Sequence, residues 1–146
     1  MALDADIKRL AAIPLLAELD VEALRLIAFA AETRVFRAGD VLFSKDDESN
    51  GGFVVLSGQI ALDPSDDGRS ASQFVGPDAL IGEMALITET RRSVTAIARQ
   101  PSVALWISRA LFHRVLRKFP GSAARLQAVI EGRLSSFSKS ARTVTN

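Results

Sequence analysis

Apolar positions recur at helical spacing at the start of the chain, give way to short β-rich runs at 33–107, and return to helical spacing after Ser108. In the first part Ile7, Leu10 and Ala11 share a helix face, Pro14 interrupts, and Asp20 stands where it would cap a second helix carrying Leu24, Ile27 and Ala28. The middle part predicts strands at 34–37, 41–44, 53–56, 59–62, 70–75, 93–98 and 103–107, separated by Gly, Asp, Asn and Pro clusters. Ser57-Gly58 and Asp67-Gly68 read as turns, the latter because both central positions of a tight hairpin turn need positive φ. Strands this short, at spacings of roughly 8 to 12 residues, predict a small β-roll or barrel.

Ser108 is placed to cap a helix in which Leu111, Phe112, Val115 and Leu116 keep helical spacing, and Phe119-Pro120 ends it because proline disfavours helix in the residue before it. A last helix carries the stripe Leu126, Val129, Ile130, Leu134 and Phe137, with Gly132 inside it at a cost of about 1 kcal/mol relative to alanine. The pattern therefore divides one domain, 1–146, into N-terminal helices (1–32), a β-roll (33–107), C-terminal helices (108–137) and a Ser-rich tail (138–146) expected to fray.

Composition narrows the chemistry. The chain has 146 residues, 48% of them apolar and 24% charged, the balance of a globular domain large enough to fold without a metal or disulfide staple. It has no cysteine, which removes disulfides, thiolate metal sites and a cysteine nucleophile. No apolar run reaches the roughly 18 to 20 residues of a membrane span, and the acidic start lacks the pattern of a signal peptide, so a cytoplasmic location without membrane contact is expected. The net charge of +1 conceals an asymmetry: 1–108 carries −6 and 109–146 carries +7. That split suits an anionic partner for the C-terminal part, attraction between the two parts, or a solvated surface.

Several motifs fail. Asp46, Glu48, Asn50 and Gly51 are spaced like a calcium loop, but Ser57 stands where its bidentate carboxylate belongs; Asp63, Ser65, Asp67 and Gly68 fail in the same way, with Phe74 there. His113 is the only histidine, which leaves a histidine-based metal site without a partner and suits packing or a surface role. The chain has no nucleophile elbow, phosphate loop or dinucleotide fingerprint. Neither an enzyme, a metal nor a bound cofactor is expected.

One constellation succeeds, Ile81-Gly82-Glu83-Met84-Ala85-Leu86-Ile87-Thr88-Glu89-Thr90-Arg91-Arg92-Ser93-Val94-Thr95-Ala96. A single helical turn entered through Gly82 would aim free N–H groups at one point, and Arg92 re-enters a strand a few residues later. Together they make a receptor for a phosphate diester, the planar guanidinium matching two phosphate oxygens. Glu83 beside an anion is repulsive unless it accepts a hydrogen bond from the same molecule, as from a ribose 2′-hydroxyl. The combination reads as ribose plus cyclic phosphate.

Gly82-Glu83-Met84-Ala85-Leu86 followed by Arg92-Ser93 resembles the phosphate-binding cassette of the cyclic-nucleotide-binding domain, found in the bacterial catabolite activator protein, in regulatory subunits of cyclic-AMP-dependent protein kinase and in cyclic-nucleotide-regulated channels. The resemblance extends over about 13–134, taking in Ile13-Pro14-Leu15-Leu16, Phe36-Arg37-Ala38-Gly39-Asp40-Val41-Leu42-Phe43 and Phe53-Val54-Val55-Leu56-Ser57-Gly58-Gln59-Ile60. It implies a mainly β fold, an eight-stranded antiparallel, jelly-roll-like β-roll with N-terminal helices and two C-terminal helices. It also implies a cyclic AMP or cyclic GMP ligand with Arg92 on the phosphate, Glu83 on the 2′-hydroxyl, and backbone N–H groups around Ala85 and Ser93 completing the cage. Ser93 is a residue that bacterial cyclic AMP receptors carry at this place, which favours cyclic AMP.

Two departures stand out. Asp46 and Ser49 occupy a hairpin where the family usually has glycines, and Arg91 precedes the cassette arginine, where a solvated loop charge is expected. Arg133 falls on the apolar stripe of the last helix, and either snorkels or, as the resemblance implies, contacts the base from a lid, with Gly132 as a bend. Only a dozen residues follow Leu134, so no DNA-reading or catalytic module is expected after the roll. The expected function is a cyclic-nucleotide sensor, monomer or weak homodimer, that signals to a protein partner in trans by moving its C-terminal helix; the alternative is an interaction module that keeps the fold and has lost the nucleotide.

Overall fold

The computed structural model describes residues 2–65 and 73–145, with side chains at 4–65 and 73–132. Helix α1 (Ala2–Ala11), a 3₁₀ turn (Leu16–Glu18) and α2 (Val21–Ala30) lead into β1 (Glu32–Phe36), β2 (Val41–Phe43), β3 (Gly51–Ser57), β4 (Ile60–Asp63), β5 (Gln73–Val75) and β6 (Leu80–Ile81). A second 3₁₀ turn (Glu83–Leu86), β7 (Thr95–Ala98), β8 (Ser102–Ser108), α3 (Arg109–Lys118) and α4 (Pro120–Thr145) complete the order.

The strands form two antiparallel four-stranded sheets, β1-β8-β3-β6 and β2-β7-β4-β5. Seven of them fall on the segments that the sequence pattern marks. The eighth, β6, is two residues long and exists because Leu80 and Ile81 pair with Val54 and Phe53; no periodicity can announce a strand so short. The Asp67-Gly68 turn and the start of the strand expected at 70–75 lie outside the described residues.

Side chains alternate across a strand, so β3 serves two cores at once. Phe53 and Val55 face the interior of the roll, where they meet Ile60, Ile81, Ala96, Ala98 and Ala104. Val54, between them, joins Leu105 and Ile107 on the opposite face, under Leu10, Leu16, Leu24, Ile27 and Phe112 of the helices. With both faces covered, β3 reads as an unbroken apolar run rather than an alternation. Gly51 and Gly52 open this strand because a Cβ on Gly51 would overlap the Ile107 carbonyl of β8, and one on Gly52 would come 2.9 Å from the Ile81 carbonyl.

The cap expected at Ser108 forms, its Oγ accepting the Leu111 N–H at 3.0 Å. Asp20 stands at the N-cap of α2 but caps nothing with its side chain. Its Oδ1 instead accepts a 2.6 Å hydrogen bond from Arg125 of α4, and its N–H donates to Ser122 Oγ, so a charged partner more than a hundred residues away outcompetes the local cap. Ala11, expected on the apolar face of α1, is exposed, while Ile7 and Leu10 are buried.

On α4, Leu126 is buried and Val129 and Ile130 are half-buried; the side chains of Leu134 and Phe137 lie outside the described residues. The helix includes 138–145, where a frayed tail is expected, since neither glycine nor proline interrupts it beyond Gly132. Among the described residues no helix is long and apolar enough to cross a membrane.

Candidate functional site

Strand β6 delivers the chain to Gly82, which adopts φ +84°. Glycine is required there twice over. Positive φ is strained for any residue with a Cβ, and a Cβ would come 2.5 Å from Nη1 of Arg92. The turn that follows buries Ala85 and Leu86 and leaves Met84 47% exposed. Leu86 anchors it in the helix-side core, and the Ala85 N–H, expected around the phosphate, closes the turn on the Gly82 carbonyl at 3.0 Å.

Arg92 is only 7% exposed. Its Nη2 donates to the Gly51 carbonyl at 2.7 Å and its guanidinium lies 4.1 Å from the centre of the Phe43 ring, a cation–π contact. Its Nε is buried without a hydrogen-bond partner among the described residues. Burial holds this guanidinium below its ordinary pKa; Asp47 opposes the shift and Arg109 adds to it. The group nonetheless stays charged, as arginine does in proteins.

The loop between β2 and β3 holds Arg92 in place. Its N–H donates to the Asp47 carbonyl at 2.9 Å, and its carbonyl accepts from the Asp46 N–H at 2.8 Å. Both departures from the glycine pattern are accommodated. Asp46 takes the left-handed conformation, φ +72°, that aspartate tolerates, and Ser49 is buried with its Oγ 2.8 Å from the carbonyl and the hydroxyl of Thr90. Arg91 is exposed as expected, yet it is not purely solvated, because its Nη1 donates to the Asp46 carbonyl at 3.0 Å.

Six of the seven expected site residues, Gly82, Glu83, Met84, Ala85, Arg92 and Ser93, line one open cavity of about 690 Å³. Phe43, Leu62, Gln73 and Val75 form its apolar and amide wall. The seventh, Arg133, lies in α4, and its side chain is outside the described residues. A buried cation, a carboxylate and a largely apolar wall, in a volume within the usual range for small-molecule sites, suit an anionic ligand with an apolar part.

A family model for the cyclic nucleotide-binding domain matches residues 33–119, which contain the whole of this cavity. The chain belongs to that family. Among solved structures, a cyclic nucleotide-binding-like protein from Brucella abortus is 39% identical, with a TM-score of 0.72 over 78% of this chain and 99% of that one. The N-terminal domain of a transcriptional regulator from Streptomyces coelicolor is 28% identical, with a TM-score of 0.82 over 90% of this chain and 94% of that one. A lysophospholipase NTE1 from Chaetomium globosum is 32% identical over 110 residues, which are 74% of this chain and 7% of that enzyme. The cyclic nucleotide-binding fold thus recurs in very different contexts, and this chain spans only about 7% of that curated relative.

Phe43, Arg109 and His113 belong to the neighbourhood of the site, and the sequence pattern assigns them no part in it. For Arg109 a signal exists: a cation in the first turn of a helix opposes the macrodipole and needs a reason. In this cyclic nucleotide-binding domain, Gly82→Ala is expected to displace the Arg92 guanidinium and to destabilise the fold by about 1–2 kcal/mol through backbone strain. Urea unfolding checks this, and unchanged stability would mean that the left-handed turn is not what holds the cassette.

Proposed function

We propose that the protein binds a 3′,5′-cyclic purine nucleotide in this cavity without hydrolysing it, cyclic AMP in preference to cyclic GMP. The observation that carries the reading is Arg92: a cation 93% removed from solvent, with an Nε unpartnered among the described residues, on the wall of a cavity that also holds a carboxylate. Burying a cation in this way is costly unless an anion joins it, and a phosphate diester supplies one negative charge with two oxygens for the guanidinium fork. Glu83 then accepts the ribose 2′-hydroxyl, which explains a carboxylate in an anion site. The apolar wall of Phe43, Leu62 and Val75 suits the remaining apolar surface of the ligand.

Family membership supports the ligand class, and Ser93 beside the cassette arginine supports cyclic AMP. The output in this reading is α4, with Arg133 as the lid residue over the base and a protein partner in trans that reads the helix position. Competition of unlabelled cyclic AMP and cyclic GMP against a labelled cyclic nucleotide, followed by chromatography of the recovered ligand, tests both halves. Cyclic AMP should compete better and return intact. A clear preference for cyclic GMP refutes the selectivity, and a linear nucleotide product refutes simple binding.

A further inference from the structure

Arg109 opens α3, whose own first turn has no acidic residue, and its Nη2 lies 4.0 Å from the carboxylate of the exposed Glu89. Its Nη1 lies 3.0 Å from the Ser49 carbonyl and 3.1 Å from each of the Ala85 and Thr88 carbonyls. Its own N–H donates to the Asn50 carbonyl at 2.7 Å. One turn along α3, Nε2 of His113 is 2.9 Å from the Ile87 carbonyl. The side chains of two α3 residues thus meet four carbonyls, one from the loop that braces Arg92 and three from the stretch that includes and follows the turn entered at Gly82.

The chemistry of these carbonyls gives the arrangement a direction. A helical turn leaves carbonyls without partners at its C-terminal end and N–H groups at its N-terminal end. Arg109 places a positive charge on the carbonyl end, and Glu83, the first residue of the turn, lines the cavity. The guanidinium that satisfies the rear of the turn therefore fixes how its front faces a ligand. Because the same group holds the Ser49 carbonyl, the loop carrying the Asp46 and Asp47 contacts to Arg92 is locked to the same point.

We propose that Arg109 is a positioning residue: by joining the β2–β3 loop and the turn at 83–88 to the start of α3, it shapes the anion site and makes α3 respond to its occupancy. The shaping stands on the contacts alone. The response to occupancy rests on the proposed cyclic nucleotide reading.

Hydrogen exchange and calorimetry on Arg109→Ala and Arg109→Lys, using the full chain, separate the two. In the ligand-free Ala variant, amides at 83–92 should exchange about tenfold faster while those of β3 and β8 stay unchanged, as expected for lost hydrogen bonds to a charged group. Uniform loosening of the whole domain, or no change at 83–92, overturns the proposal. With cyclic AMP, the Ala variant should bind about tenfold or more weakly, and the ligand-induced slowing at 109–118 seen in the unmodified protein should vanish even at saturation. Lysine keeps the charge and loses the planar fork, so it should recover only part of the affinity; full recovery would reduce Arg109 to a point charge and overturn the joint. Failure of the unmodified protein to bind cyclic AMP overturns the response to occupancy, whereas the ligand-free exchange still decides the shaping. If Arg109→Ala does not fold, Arg109→Gln, which keeps an amide donor and drops the charge, is read by the same comparisons.

Discussion

Arg92→Ala is expected to weaken cyclic AMP binding by on the order of thirtyfold to a few thousandfold. Removing one partner of a buried charge pair costs about 2–5 kcal/mol, and each 1.4 kcal/mol is about tenfold in affinity. The cost is high here because the replacement leaves a phosphate charge against Phe43 and the apolar wall with no guanidinium to meet it. Stability should move in a different way. The cost of burying this cation, with an Nε that has no partner among the described residues, offsets what its hydrogen bond to the Gly51 carbonyl and its contact with Phe43 contribute, so the same variant should unfold within about 1 kcal/mol of the unmodified protein. Arg91→Ala is the matched control. Arg91 is exposed and touches the Asp46 carbonyl, and a surface change of this kind costs about 0.5 kcal/mol or less. Loss of binding in the Arg91 variant with a silent Arg92 variant would reverse the assignment of the phosphate.

Phe112→Ala should destabilise the fold by about 3–5 kcal/mol in urea unfolding, the range for deleting a buried aromatic side chain. Phe112 is fully buried, packed in the core that α3 shares with α1, α2 and the outer face of sheet β1-β8-β3-β6. The loss is a large part of the roughly 5–15 kcal/mol that holds a domain of this kind together. It matters for the site because α3 also carries Arg109 and His113 against the cassette. A loss under about 1 kcal/mol would mean that α3 is not anchored as the structure has it.

Local physics made much of this legible from the sequence. The Ser108 cap needs only its own hydroxyl and the N–H three residues on, and the stripe Leu111, Phe112 and Val115 needs only helical spacing. Gly82, Glu83, Arg92 and Ser93 are close enough in the chain for their spacing to suggest one shared site, and the structure brings them to one cavity. What stayed hidden depends on distant partners. Asp20 has the residue type of a cap and is taken instead by Arg125; Gly51 falls within a failed calcium pattern and owes its identity to the Ile107 carbonyl across the strand pair. Phe43 reads as one more strand residue until Arg92 lies over its ring. Strand β6 and the Arg109 joint are likewise products of pairing and packing, which no single stretch of residues records.

Calorimetric titration of the purified protein with cyclic AMP, and in parallel with cyclic GMP, decides whether the cavity holding Arg92 and Glu83 binds a cyclic nucleotide. Saturable heat at one ligand per chain is expected, tighter for cyclic AMP and lost in the Arg92→Ala variant. No heat for either nucleotide at high micromolar ligand, from protein shown to be folded and free of bound nucleotide, would contradict that expectation.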